Sequence, residues 1–166
     1  HSVGDDDMWV YLPALGKTRR LVSSNKKDSF VGTDFSYGDV VGHKPQDWSH
    51  TLLRSENISG KDCYVIESTP VNDAVKNNTG YSKRETYIGK DNFVAVRTDF
   101  WDISGKPLKK ITADNIRQVG SNGRYQAFLS IAENLQTGHS TRIEFDEFTA
   151  DKNLEASLFR PQALEK

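Results

Sequence analysis

The stretch YSKRETYIGKDNFVAVRTDFWD, residues 81–102, alternates in character on both sides of Lys90-Asp91-Asn92. Val94, Val96, Thr98 and Phe100 fall to one side of the chain, and Ala95, Arg97 and Asp99 to the other. A period of two places these sets on opposite faces of a β-strand. Two such runs around a short polar turn predict an antiparallel hairpin.

The same pattern continues in both directions. Upstream, MWVYLPAL (8–15) and KTRRLVSS (17–24) meet across Gly16, and WSHTLLRSENI (48–58) and DCYVIESTPV (62–71) meet across Ser59-Gly60. Downstream come PLKKITADNIRQVG (107–120), RYQAFLSIAENLQ (124–136) and STRIEFDEFTA (140–150), separated by glycine-bearing turns. Tyr125, Ala127, Leu129 and Ile131 oppose Arg124, Gln126 and Ser130. Ile143 and Phe145 keep the period, whereas Phe148 breaks it and marks a bulge or strand end near Glu147. The series predicts about nine strands in an antiparallel meander, a mainly β chain with few helices.

Helical candidates are scarce. Asp34 is the predicted cap of a turn carrying Phe35, Tyr37, Val40 and Val41, with Gly38 weakening it. NLEASLFRPQALEK (153–166) reads as a helical turn that stops before Pro161. One short helix cannot cover so large a sheet. The sheet must curl around its own apolar face, or receive a cover from outside these segments or from a second chain.

With 166 residues the chain is expected to form one domain, residues 1–166. A hydrophobic fraction of 36% and a mean hydropathy of −0.66 fit strands that each keep one wet face. The formal net charge of −1 supplies no global field for nucleic acid. The basic run Lys17, Arg19, Arg20, Lys26 and Lys27 reads either as a headgroup-facing patch or as a solvated strand face. No apolar run approaches the roughly 20 residues of a membrane helix, and no signal peptide is present.

Catalytic and metal chemistry find no support. Cys63, the single cysteine, lies mid-strand, where a packed thiol is expected, and it excludes an internal disulfide or a thiolate cluster. His1, His43, His50 and His139 lack zinc-ligand spacing. Asp5, Asp6 and Asp7 point in different directions and precede no calcium-loop pattern, so a solvated turn is expected. There is no G-x-S-x-G elbow. Glu67, Glu85, Asp99 and Glu144 have cationic partners available in Lys83, Arg84, Arg97 and Arg142. We therefore expect no catalytic residues, no metal and no cofactor.

Four blocks carry a family likeness: DDDMWVYLPALGKTRRL (5–21), SSNKKDSFVGTDFSYGD (23–39), GYSKRETYIGKDNF (80–93) and QTGHSTRIEF (136–145). Together they resemble the LolA-like outer-membrane lipoprotein-sorting family of periplasmic proteins, over nearly the whole chain. The resemblance implies a strongly curved, incomplete antiparallel half-barrel with helices plugging one side. It also implies an apolar cavity for lipoprotein acyl chains or another lipid. Family members open with a signal peptide, a helix and further strands before the first of these blocks. The resemblance therefore implies that the N-terminal part of the family domain is missing from this chain, leaving an exposed sheet edge for a homodimer.

On this basis the expected function is a periplasmic carrier or chaperone that binds lipoprotein acyl chains or another lipid for outer-membrane sorting. The alternative is a non-catalytic subunit docking on an efflux-type inner-membrane transporter or envelope complex. Expected ligand-binding positions are Trp9, Tyr11, Tyr64, Ile66, Val94, Val96, Phe100, Leu129, Ile131 and Phe145, with Phe30, Phe35 and Tyr37 at the mouth. In DSFVGTDFSYGD (28–39) those last three aromatics either line a lipid portal or simply plug the end of the barrel. Neither role needs a catalytic base.

Overall fold

A computed structural model of the chain describes residues 8–12, 16–21, 26–150 and 152–165. The acidic run Asp5–Asp7 and His1 lie outside them.

Among the described residues nine strands form, but in two sheets rather than one meander. β1 (Met8–Leu12) and β2 (Lys17–Leu21) make a separate antiparallel hairpin. The other seven form one open antiparallel sheet in sequence order. They are β3 (Trp48–Ile58), β4 (Lys61–Pro70), β5 (Tyr81–Gly89), β6 (Ala95–Asp102), β7 (Pro107–Val119), β8 (Arg124–Asn134) and β9 (Ser140–Glu144). β9 ends at Glu144, so Phe148 escapes the alternation because its strand is already over. The hairpin touches the final 3-10 turn, Pro161–Glu165. The C-terminal segment forms two such turns, Ala156–Phe159 and Pro161–Glu165, one on each side of Arg160.

Between β2 and β3 in the sequence lies α1 (Tyr37–Val41), and its cap is Ser36, not Asp34. The Ser36 hydroxyl accepts from the Asp39 amide, while the Asp39 carboxylate accepts from the Ser36 amide, a reciprocal box that closes the helix start. Gly38 within this helix permits a close approach. A Cβ there would meet Lys26 O and His43 Cε1, both at 3.1 Å. A second short helix, α2 (Asp73–Thr79), starts at an Asn72 cap and stops at Gly80, whose φ of +79° is left-handed.

Opposed residues on neighbouring antiparallel strands share a face, so the register sorts side chains into two surfaces. One face carries Trp48, Ser68, Arg84, Phe100 and Lys109 at one end, where residues 26–47 cover it. We term this the plugged face. Trp48, Tyr81 and Phe100 form its buried cluster.

The opposite face carries Cys63, Val65 and Tyr87, which cluster with Val96, Ile58 and Ile116. Cys63 and Val65 are fully buried, and burial raises the Cys63 thiol pKa above its ordinary value, so this is a packed thiol. Ile116 sits on β7, three strands from β4, and Lys61 at the start of β4 reaches Asp114 of β7 at 3.9 Å. On a flat sheet those strands lie about 14 Å apart. Side-chain contact across that span requires the sheet to curl strongly.

Register breaks supply the bend. They fall between Leu52 and Arg54, Tyr81 and Lys83, Tyr87 and Ile88, and Phe100 and Trp101. The break near Ala95 explains one departure from simple alternation. It turns Val96 into the cluster with Val65, while Phe100 joins the plugged face. On β8 the buried residues are Phe128 and Ala132, which face away from Leu129 and Ile131.

Candidate functional site

The plug, residues 26–47, is fixed to the sheet by buried polar groups rather than by apolar contact alone. Asp39 lies at its centre. Its carboxylate accepts from the Tyr81 hydroxyl of β5 at 2.9 Å and from the Lys109 ammonium of β7, and both ionic side chains are almost fully buried. Lys109 also donates to the Asp34 carbonyl at 3.0 Å. Burial alone would push the Asp39 pKa up. The His43 ring, the Lys109 charge and the Ser36 amide outweigh it, so the carboxyl stays ionised well below its usual range. Tyr81 moves the other way: burial first, then the Asp39 charge, holds its phenol pKa well above normal.

Asp34 is the second anchor. Its carboxylate accepts from Thr141 Oγ1 of β9 at 2.6 Å and pairs with His139 Nδ1 at 2.7 Å. The plug thus ties together β5, β7 and β9. Within it, Phe35 is buried, and Phe30 packs edge-on against Tyr37 with ring centroids 5.4 Å apart. The stretch DSFVGTDFSYGD folds back on itself, with the Phe30 amide donating to the Phe35 carbonyl at 2.8 Å.

Beyond the plug, the same face becomes apolar. Leu52 and Ile66 stand opposite one another, and the row continues through Thr86 and Thr98 to Ile111. The next row pairs Tyr64 with Ile88 and leads to Ala95. Leu52 is 62% exposed, and Tyr64, Ile66 and Ile88 retain part of their accessible surface.

The opposite face is different in kind. Lys83 bridges Glu67 and Glu85 at 3.3 and 3.0 Å, Arg97 forms a two-pronged pair with Asp99, and Arg142 pairs with Glu144. These carboxylates are neutralised by fixed cations, mostly two residues away along the same strand. Such pairing is a structural surface arrangement rather than a proton-transfer site. Arg84 departs from the expectation, because it has no carboxylate partner among the described residues.

The expected ligand positions divide among five places. Tyr64, Ile66, Phe100 and Phe145 belong to the plugged face. Val96, Leu129 and Ile131 belong to the opposite one. Phe30, Phe35 and Tyr37 lie in the plug, and Trp9 and Tyr11 lie on the separate hairpin, where Arg20 stacks over Trp9. Val94 precedes β6, and its carbonyl accepts from the Gly89 amide. Leu52, Ile88 and Ile111 were missed by strand-by-strand reading; their signal is the cross-strand partner, not the local sequence.

Two hollows of mixed lining are found among the described residues. One of about 190 Å3 lies between plug and α2, lined by Lys26, His43, Asp47, Asn72 and Thr79 among others; one of about 490 Å3 lies at the turns holding Asn57, Lys61 and Asp91. Among the described residues, no group of three His, Cys, Asp or Glu converges as a metal site, and no helix is long and apolar enough to cross a membrane.

A family described as an uncharacterized protein matches residues 1–166. No curated protein matches the chain. Solved structures do. An outer membrane lipoprotein-sorting protein domain from Vibrio parahaemolyticus is 30% identical with a TM-score of 0.88; the alignment covers 100% of this chain and 68% of that one. A DUF1329 family protein from Desulfovibrio piger is 30% identical with a TM-score of 0.85, over 98% of this chain and 66% of that one. A LolA superfamily protein from Nitrosomonas europaea shares the fold at 24% identity and a TM-score of 0.69, over 95% of this chain and 68% of that one. The chain thus spans about two thirds of the length of each.

Proposed function

The chain belongs to the LolA-like family of outer membrane lipoprotein-sorting proteins, and from that premise we propose that it is a non-catalytic periplasmic carrier that holds acyl chains against its plugged face. The observation that carries the reading is the pair of apolar rows beyond the plug, Leu52 with Ile66 and Tyr64 with Ile88, whose side chains remain partly open. Burying such surface under an acyl chain is favourable by ~25 cal/mol per Å2 and needs no covalent step. Fixed ion pairs, Lys83 with Glu67 and Glu85, Arg97 with Asp99 and Arg142 with Glu144, keep the part of the opposite face away from the Cys63 cluster wet.

Native mass spectrometry of the protein purified from a bacterial envelope tests the proposal. The expected spectrum contains a species heavier than the polypeptide by the mass of an acyl lipid, and solvent extraction recovers that lipid. A single unliganded mass, unchanged after incubation with fatty acid or phospholipid, contradicts it.

A further inference from the structure

Arg84 projects from β5 on the plugged face, directly opposite Ser68 on one side and Phe100 on the other. Its guanidinium stacks over the Trp48 ring, 4.3 Å from the centroid. Stacking fixes the plane of the group but uses none of its N–H donors. No hydrogen bond or ion pair to Arg84 exists among the described residues, and its Nε is buried without an acceptor. Two adjacent ring nitrogens are also buried without a hydrogen-bond partner: Trp48 Nε1, and His43 Nε2, which faces the Asp39 carboxylate at 3.9 Å.

Four other arginines on the same sheet each have an oxygen acceptor: Arg54 has Glu56, Arg97 has Asp99, Arg117 has Asn115, and Arg142 has Glu144. Three nitrogens in neighbouring side chains, one of them on a permanent cation, thus lack a hydrogen-bond partner. Asp39 is the nearby anion and its charge acts on Arg84, but it forms no hydrogen bond to the guanidinium, because Tyr81, Lys109 and the Ser36 amide already occupy its carboxylate. Burial lowers the Arg84 pKa from its ordinary value, while the Asp39 charge and Tyr81 act in the opposite direction.

Position gives the ligand class. Arg84 stands one strand repeat from Thr86, in the row that joins Ile66 to Thr98 and Ile111. We infer that Arg84 receives the anionic headgroup, a phosphate or carboxylate, of an amphiphile whose chain runs over Ile66 and Ile88. This inference rests on the carrier reading and adds to it a polarity: headgroup toward the plug, chain away from it. A guanidinium edge matches either oxyanion with two parallel N–H···O bonds.

The test compares dodecyl phosphate with dodecanol, equal in chain length, by calorimetry on the whole chain, with inorganic phosphate as a third ligand. Wild type is expected to bind dodecyl phosphate roughly tenfold more tightly than dodecanol. In Arg84→Met that preference disappears while dodecanol binding is unchanged. Arg84→Gln gives the same readout if loss of the Trp48 stack impairs folding of the methionine variant, and in wild type the preference shrinks with added salt. A preference that survives both substitutions, or that wild type lacks, overturns the headgroup site but leaves the carrier intact if dodecanol binds. Failure of both amphiphiles overturns the carrier reading and this inference with it. Displacement of dodecyl phosphate by an equal concentration of inorganic phosphate overturns the amphiphile assignment in favour of a free-anion site.

Discussion

Lys109→Ala is expected to lower the free energy of unfolding by ~3–5 kcal/mol, because it leaves the Asp39 carboxylate buried without its cation. Attraction between the two charges is not the main quantity. Desolvation of each ion largely offsets it, so the pair as a whole contributes modestly. The loss comes from the partner left behind. Asp39 is held under the plug by Tyr81 and Ser36 and cannot turn to water without opening the capping box of α1. Lys109 also binds the Asp34 carbonyl, so its removal weakens both anchors at once. The double variant Asp39→Ala with Lys109→Ala is expected to lose clearly less than the sum of the single variants. Urea denaturation of the four proteins measures this, and additive losses would mean that the two groups stabilise the plug independently.

Ile66→Asp combined with Ile88→Asp is expected to weaken binding of a fluorescent acyl probe by more than about tenfold. Both positions point to the plugged face, where each isoleucine offers apolar surface and each new carboxylate must stay hydrated to remain charged. Both are partly open, so the folded state accommodates the charges at the surface. Arg142→Ala, on the opposite face, is the control and is expected to leave binding unchanged. Equal affinity in the double variant and wild type would place the ligand elsewhere.

Much of this architecture is legible in the chain because turn chemistry and period-two alternation act over a few residues. Ser59-Gly60 does connect β3 to β4, and Lys90-Asp91-Asn92 does lie between β5 and β6. What alternation does not carry is the effect of a register break. Val96 and Phe100 share a parity in the sequence yet enter different clusters, because the strand slips near Ala95. Nor does local reading reveal a tie between Asp39 and Lys109, which only the returning plug brings together. The capping box was present as Ser36 and Asp39, three apart, but Asp34 offered an equally good local signal until tertiary contact with Thr141 claimed it. α2 was signalled by Asn72 and Gly80, at the distance a short helix needs.

The candidate surface follows the same division. Single strands disclose alternation; only pairing shows that Tyr64 meets Ile88 and that Ile66 meets Leu52. Unsatisfied donors are invisible to sequence altogether. Arg84 reads as one more strand cation until its surroundings show Trp48 where a carboxylate was expected.

Photolabelling with a diazirine-bearing fatty acid, mapped residue by residue by mass spectrometry, addresses the central claim most directly. Labels concentrated on Tyr64, Ile66 and Ile88, and competed away by unlabelled lipid, are the predicted result. Labels absent, insensitive to competitor, or confined to β8 and β9 residues of the opposite face such as Leu129 and Arg142 would contradict an acyl site on the plugged face.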